Sequence, residues 1–365
     1  MSDSLVKFRE MTSVNGKIIA VAKLNAPQSL NALSLPMMQQ LYHQLNLWRN
    51  DNNVVLVMLE GGDKAFCAGG DIVSLYYDLV EYDFPINDHD IENALAFDFF
   101  KQEYQLDQLI HNYPKPVLAW ASGYVMGGGI GLVAGASHKV TTENSIFAMP
   151  EVSIGLYPDV GASYFLNKMP NKLGSFLGIT GATFNSADAL NLGLSDHFIE
   201  HSNKELILNK LKSLDWQNEP MQNSELLTSV LIEQAKESEN KLPLSILAEH
   251  ENEIDNCLKS THLTDIYNAI LGAESGSSWF NKVKGKLKSA SPLSVAITYR
   301  LLQENKDLSL SECFEREWQL SIRCSQFGEF SEGVRALLVD KDRTPNWSYK
   351  SLSQIDQQRL DWFFS

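Results

Sequence analysis

The sequence predicts an α/β fold over residues 1–200, followed by a helical region over residues 201–365. Three observations lead there. The apolar runs Val54–Leu59 and Val117–Ala121 each lead into glycine turns that open a helical pattern, as repeated strand, turn and helix units would. After Ser202 no alternating strand pattern recurs, and helix signals take over: Ser291-Pro292 supplies a cap with Pro in the first turn, and Ser309-x-x-Glu312 is a capping box. With 365 residues, 44% hydrophobic and 21% charged, the chain can bury a core and has the length of about two domains.

In chain order, Leu5–Thr12 and Lys17–Lys23 form a hairpin turned at Asn15-Gly16. Asn25–Leu35 is a loop. Pro36–Arg49 places Met37, Leu41, Leu45 and Trp48 on one helical face. Val54–Asp71 is a strand that runs into Gly61-Gly62 and then a second turn, Ala68-Gly69-Gly70-Asp71. Glu81–Asp90 is acidic, contains Pro85 and reads as a mobile connection or lid. Ala94–Ile110 is helical, with Phe97, Phe100, Tyr104 and Leu106 mostly inward and Glu103 at the edge of that face, where an exposed carboxylate is the default. A buried strand at Val117–Ala121 leads to Gly127–Gly129, which open a helix; the polar Thr141–Asn144 breaks the chain before Ile146–Met149, which Pro150-Glu151 ends. Gly161–Met169 and Lys172–Thr180 are short helices, Ser186 caps Ala187–Leu192 ahead of Gly193, and Phe198-Ile199 is the last strand. Phe314, Trp318 and Ile322 mark a buried stripe on a later helix.

Gly123–Asp159 concentrates glycines, a long uncharged run and two carboxylates, Glu151 and Asp159, on or beside loops where functional groups collect. A glycine turn admits close approach of a ligand, and the helix it opens aims unpaired amides at an anion. Four readings of this stretch stay open. The glycines can serve only to pack a helix tightly on a sheet. The uncharged Val117–Ser137, with Gly127, Gly131 and Gly135 in a GxxxG series, has the outline of a membrane span, although six glycines dilute its apolarity and no second span follows. Gly129-x-Gly131-x-x-Ala134 fits a dinucleotide fingerprint, with Glu143 or Glu151 downstream, but five residues separate it from the strand. The fourth is an acyl-thioester site, which the second glycine turn at Ala68–Asp71 supports by presenting further amides.

Together, AFCAGGDI and GYVMGGGIGL resemble the enoyl-CoA hydratase/isomerase (crotonase) superfamily, over about residues 14–200. The resemblance implies a spiral of strand-strand-helix units and an oxyanion hole made by the amides of Gly70 and Gly128, with Ala68 on the same turn. It further implies that Gln28-Ser29-Leu30-Asn31-Ala32-Leu33 contacts CoA, with Gln28 and Leu30 as substrate contacts; a plain helix-capping loop is the other reading. PEVSIGLYPDVGASYFL and EGVRALLVDKDRTPNW look most like the 3-hydroxyisobutyryl-CoA hydrolase branch, whose Glu and Asp eight residues apart match Glu151 and Asp159. That branch also carries a substrate-touching Glu in an FFxxEYxL context, matching Glu103. Where hydratases carry a catalytic Glu two positions after the glycine triplet, this chain has Gly131, which favours hydrolysis over hydration. Coenzyme A is then part of the substrate, no separate cofactor or metal is expected, and a homo-oligomer, trimer or hexamer, is compatible with such cores.

Composition agrees. A net charge of −15 and a pI near 5.0 oppose a nucleic-acid or anionic-membrane role. The one concentrated basic run, Lys282, Lys284, Lys286 and Lys288, reads as a solvated helix face as well as a phosphate site. Cys67, Cys257, Cys313 and Cys324 form no CxxC pair or metal spacing, and on one helix Cys313 and Cys324 would be separated by about 16 Å, beyond disulfide reach. Reduced thiols and a cytoplasmic setting are expected. Met1–Gly16 carries Asp3 and Glu10 and lacks an apolar core, so it reads as neither a signal nor a transit peptide. GxSxG, P-loop and HExxH patterns do not occur.

The expected activity is hydrolysis of a short-chain 3-hydroxyacyl-CoA thioester, 3-hydroxyisobutyryl-CoA as in valine breakdown. Glu151 would act as general base on water or as nucleophile; Asp159 would orient it or bind the substrate hydroxyl, with Glu103 nearby. Two adjacent carboxylates push one pKa up, which suits a base near neutral pH. The alternatives are an enoyl-CoA hydratase or isomerase and, from other classes, a nicotinamide-binding protein or a non-catalytic CoA-binding scaffold.

Overall fold

The computed structural model describes residues 4–365; Asp3, part of the targeting reading, lies outside them. The chain forms two compact units from alternating segments. The first takes the chain up to Gly70, then Gln105–Phe147 and Phe184–Ile246, and the second takes Asp71–Tyr104, Ala148–Thr183 and Leu247–Ser365. These units cut across the division at residue 200 read from composition, because the helices Lys204–Ser213 and Pro220–Ser238 bury Leu208, Leu211 and Leu231 in one apolar core with Ile19, Leu56 and Trp120 of the sheet.

The first unit holds the strands β1 (Val6–Thr12), β2 (Ile18–Leu24), β3 (Val54–Glu60), β4 (Ala65–Cys67), β5 (Val117–Ala121), β6 (Tyr124–Met126), β7 (His138–Thr141), β8 (Ile146–Ala148), β9 (Phe184–Asn185) and β10 (His197–Phe198). They make a six-stranded sheet in the order β1-β2-β3-β5-β7-β10 and a four-stranded sheet in the order β4-β6-β8-β9. From β3 to β8 the chain gives strands alternately to the two sheets, one winding at a time, which is the strand-strand-helix spiral that the family resemblance implies. β3, β5 and β7 are parallel neighbours, and β3 and β5 are buried along their whole length, as strands covered on both faces must be. The hairpin is present, with Val6 opposite Leu24 and Thr12 opposite Ile18. The first helix runs Leu35–Asn50, capped by Ser34, and buries Met37, Leu41, Leu45 and Trp48 as its spacing requires. The uncharged Val117–Ser137 is divided among β5, β6 and a seven-residue helix, Gly128–Ala134. Among the described residues, no helix is long and apolar enough to cross a membrane.

The second unit is helical. The Ser291 cap and the Ser309/Glu312 capping box form as read. Three expectations need correction. Glu81–Asp90 is docked and not a free lid: Ile86 is buried and its amide donates to Gln326 O at 2.9 Å, while Arg323 pairs with Asp88 at 2.9 Å. The buried stripe of the helix Leu310–Phe327 is rotated from the one expected; Phe314 is buried, but Trp318 and Ile322 are only half-buried, and Glu317, Leu320, Ser321 and Cys324 face inward instead. Apolarity alone misjudged that face because its buried polar groups are paired. In the first unit, the cap of the helix Ser186–Asn191 is Asn185 and not Ser186, because Asn185 and Asp188 exchange side-chain and backbone hydrogen bonds as a capping box.

Candidate functional site

In the first unit the two glycine turns are built on β4. Loop residues Leu30 and Asn31 have φ of 53° and 59°, a left-handed pair that is costly outside glycine. The buried Asn31 holds it: its amide donates to Ala65 O and Phe66 O at 3.0 and 3.2 Å, and its Oδ1 accepts from Ala26 N at 2.8 Å. The Ala68 amide donates to Leu30 O at 3.1 Å, and Leu33 N donates to Gly69 O at 2.8 Å in an isolated parallel bridge between Leu33 and Gly70. The bridge bond is carried by the residue before Gly70. Gly129 lies so close to β4 that a Cβ there would collide with Cys67 O, which gives this glycine a packing reason independent of any nucleotide fingerprint. Leu30, Ala68 and Gly70 are thus brought together, and the Gly128 turn is fastened to the same strand through Gly129. Gln28 is exposed on the turn Pro27–Ser29.

The second unit gathers carboxyls. Glu151 opens the 3-10 turn Glu151–Ile154 after Pro150 and is 5% exposed; its Oε2 is buried and makes no hydrogen bond among the described residues. Burial pushes its pKa well above the ordinary carboxylate range, and the charge of Asp159 adds to that. Asp159 is 4% exposed and accepts a hydrogen bond from Tyr104 Oη at 2.7 Å. Burial pushes its pKa up to about 6, held back by that phenol hydrogen bond. Glu103 is also buried, on the helix Leu95–His111, where the sequence suggested an exposed edge; the Phe100 and Tyr104 rings, 6.0 Å apart on the same helix, show how much of this face is inward.

The turn after Asp159 is strained. Val160 is fully buried with φ of 55°, a conformation a β-branched residue adopts at a cost of about 1–3 kcal/mol. Gly161 follows with φ of 82°, and a Cβ there would lie 3.0 Å from the Phe314 ring. Glu317 holds this turn. Its Oε2 accepts from Gly161 N at 2.6 Å, and its Oε1 accepts from Ser163 N at 2.9 Å and Ser163 Oγ at 2.5 Å. Burial pushes the Glu317 pKa up to about 8 against the pull of those three donors. Tyr104 Oη also meets Ser321 Oγ at 2.7 Å, and Ser321 Oγ meets Tyr157 Oη at 2.8 Å. Sequence reasoning did not single out Tyr157, Glu317 and Ser321, and read Tyr104 only as a core residue. Their signal was present: Tyr104 adjoins Glu103, Tyr157 lies between Glu151 and Asp159, and Glu317 and Ser321 stand one helical turn apart after a strong cap.

No group of three or more His, Cys, Asp or Glu suited to a metal occurs among the described residues. Of the basic run on the helix Ser278–Ser289, Lys284 and Lys286 donate to Ala273 O and Gly181 O, and Lys282 and Lys288 are exposed. All four cysteines are buried and none is in a disulfide.

Comparison with known proteins adds the following. A family model described as enoyl-CoA hydratase/isomerase matches residues 19–364. The chain is 35% identical over 370 residues to a protein of Xenopus tropicalis named 3-hydroxyisobutyryl-CoA hydrolase, mitochondrial, covering 100% of this chain and 91% of that one. It is likewise 35% identical over 346 residues to the human protein of the same name, covering 94% and 85%. A solved structure titled as an enoyl-CoA hydratase from Rhodobacter sphaeroides 2.4.1 superposes with a TM-score of 0.82 at 28% identity, covering 99% and 97%. The names of these relatives overturn the cytoplasmic expectation, since they carry the word mitochondrial. The expectation rested on free thiols, which indicate a reducing environment and do not say which compartment supplies it. On the family match and on the spiral of alternating strands, the chain belongs to the enoyl-CoA hydratase/isomerase family.

Proposed function

We propose that the chain hydrolyses 3-hydroxyisobutyryl-CoA, or a similar short-chain 3-hydroxyacyl-CoA thioester, to the free hydroxy acid and CoA. The observation that carries this reading is the end-to-end likeness to proteins named for that hydrolysis. The fold by itself does not choose, since a structure titled as a hydratase shares it. Gly131, where the hydratases it resembles have a second glutamate, has no carboxyl to offer to hydration.

In the reaction, water oxygen bonds to the carbonyl carbon, the carbon–sulfur bond breaks, and the departing thiolate takes up a proton. The Gly70 and Gly128 amides are assigned to the oxyanion, where one such donor is worth about 3–4 kcal/mol. Glu151 is assigned to the acyl carbon, as general base on water or as nucleophile forming a mixed anhydride. Its raised proton affinity and unpartnered Oε2 suit a base working near neutrality. Asp159 is assigned to orientation of the reacting groups, Glu103 to the acyl group, and Gln28, Leu30 and Ala68 to the CoA side. Coenzyme A enters only as part of the substrate.

The test is free-thiol release over a panel of acyl-CoA esters. Thiol should appear from 3-hydroxyisobutyryl-CoA, and crotonyl-CoA should keep its enoyl absorbance. Loss of that absorbance with no thiol from the hydroxyacyl ester would replace this reading with a hydratase.

A further inference from the structure

Four hydroxyl contacts run in line from Asp159. Tyr104 Oη meets Asp159 Oδ2 at 2.7 Å and Ser321 Oγ at 2.7 Å; Ser321 Oγ meets Tyr157 Oη at 2.8 Å; Tyr157 Oη meets Glu317 O at 2.5 Å. Tyr104, Tyr157 and Ser321 are all buried. A hydroxyl has one hydrogen and rotates to suit its neighbours. When Asp159 is ionised, three hydrogens serve four contacts. Pointing all three inward, Tyr157 to Ser321 to Tyr104 to Asp159, gives up only the carbonyl of Glu317, which belongs to a helix. When Asp159 is protonated its own hydrogen completes the set, and all four contacts are made with every hydroxyl turned the other way. The line therefore has two directions, chosen by one proton: inward with three contacts made, outward with all four.

The inward direction ends on a charge, and hydrogen bonds to a charge are about twice as strong as neutral ones, each donor polarising the next. The titratable groups around Asp159 and Tyr104 are Glu151 from the turn Glu151–Ile154, Glu103 from the helix Leu95–His111, Glu317 and Cys324 from the helix Leu310–Phe327, and Tyr157 on the same loop. All are acids. Within this set it is hydroxyl donors, and not a cation, that can hold a carboxylate charge.

We propose that Tyr104, Ser321 and Tyr157 are positioning residues, a hydroxyl relay that turns as one toward Asp159 and keeps the negative charge of the carboxyl pair there. Glu151 then carries the pair's proton until the last ionisation, which makes it the group whose loss of a proton starts the reaction. The kinetic side of this inference rests on the hydrolase reading; the protonation side does not.

The experiment uses Tyr157→Phe and Ser321→Ala, neither of which touches Asp159 in one step, in the full-length protein. Carbon-13 labelling of aspartate, with Asp159 assigned by loss of its signal in Asp159→Asn, reports the ionisation midpoint by NMR without substrate. Both variants should raise that midpoint by on the order of half a pH unit, the scale set by one weakened hydrogen bond. The acid limb of kcat/KM against pH, which belongs to the coupled pair, should move the same way, with the plateau at high pH approached again. Ser321→Thr, which returns the hydroxyl, should restore the midpoint. A midpoint that stays put or falls in folded Ser321→Ala overturns the relay, whatever Tyr157→Phe does. A uniform loss of rate with an unmoved limb also overturns it, since that is what simple structural damage would give. If the unmodified protein releases no thiol from any ester, the hydrolase reading fails while the aspartate titration still decides the relay.

Discussion

The glycine turns of the first unit and the carboxyl cluster of the second solve opposite problems. Around β4 the atoms assigned to the reaction are backbone amides, and the chain positions them by close approach: Gly129 against Cys67, and a left-handed Leu30-Asn31 pair held by one buried amide side chain. Around Asp159 the atoms so assigned are carboxyl side chains out of water, and a set of buried donors positions the cluster: three to Glu317 and a line of hydroxyls to Asp159. Backbone placement needs little beyond residues without a side chain. Charge placement needs a polar partner for nearly every buried oxygen, because a bare buried carboxylate would simply take up a proton.

This contrast sets the expected size of each substitution. The largest effect is on turnover: Glu151→Gln, which keeps volume and removes the charge, should lower kcat by about 10²–10⁴ in the thiol-release assay, with Asp159→Asn in the same range. Near-normal turnover by Glu151→Gln would remove it from the reaction. Gly70→Pro deletes one amide and should cost about 10²–10³ in kcat, provided circular dichroism shows the fold kept. Near-normal kcat in folded Gly70→Pro would remove the Gly70 amide from the oxyanion site.

Smaller effects concern stability. Glu317→Ala leaves two amides and a hydroxyl without an acceptor and should cost about 3 kcal/mol or more in urea unfolding. The pH dependence has a definite sign. The Glu317 pKa is raised in the fold, from 4.5 to about 8, so its contribution is fully present below 4.5 and is lost as pH rises through about 8. Asp159 acts in the same sense between 3.8 and about 6. Melting temperature should therefore fall from pH 4.5 toward 8, less steeply in Glu317→Gln; an equal slope in both proteins would show that Glu317 does not titrate in that window. Asn31→Ala should cost least, about 1–2 kcal/mol, because the donors and acceptors it leaves are neutral.

The same contrast governs what could be read from the sequence. Val54–Leu59, Val117–Ala121 and the glycine clusters announce themselves locally, so the α/β order, its turns and the capped helices were legible, while the spiral came from the family resemblance. Glu151 and Asp159 could be singled out because short flanking motifs carry them. Glu317 and Ser321 were not, since what makes them important is a partner 156 residues away in one case and 217 in the other. Glu103 was read at an exposed edge because a helical wheel records which face is apolar, and this face is buried while polar. The compact units escaped a reading by composition because each is assembled from separated segments.

That assembly from separated segments has a consequence for synthesis on the ribosome. The first unit is complete once Ile246 has emerged, whereas the second still needs Leu247–Ser365. Asp159 is made early and its turn has to be kept without Glu317 until the helix Leu310–Phe327 follows. A nascent chain halted after Ile246 would carry Asp71–Tyr104 and Ala148–Thr183 with no remaining segment of their unit to cover them. Stalled or truncated chains should therefore be strong clients of chaperones and early targets of proteolysis, even though the sheet-bearing part of the molecule is already whole.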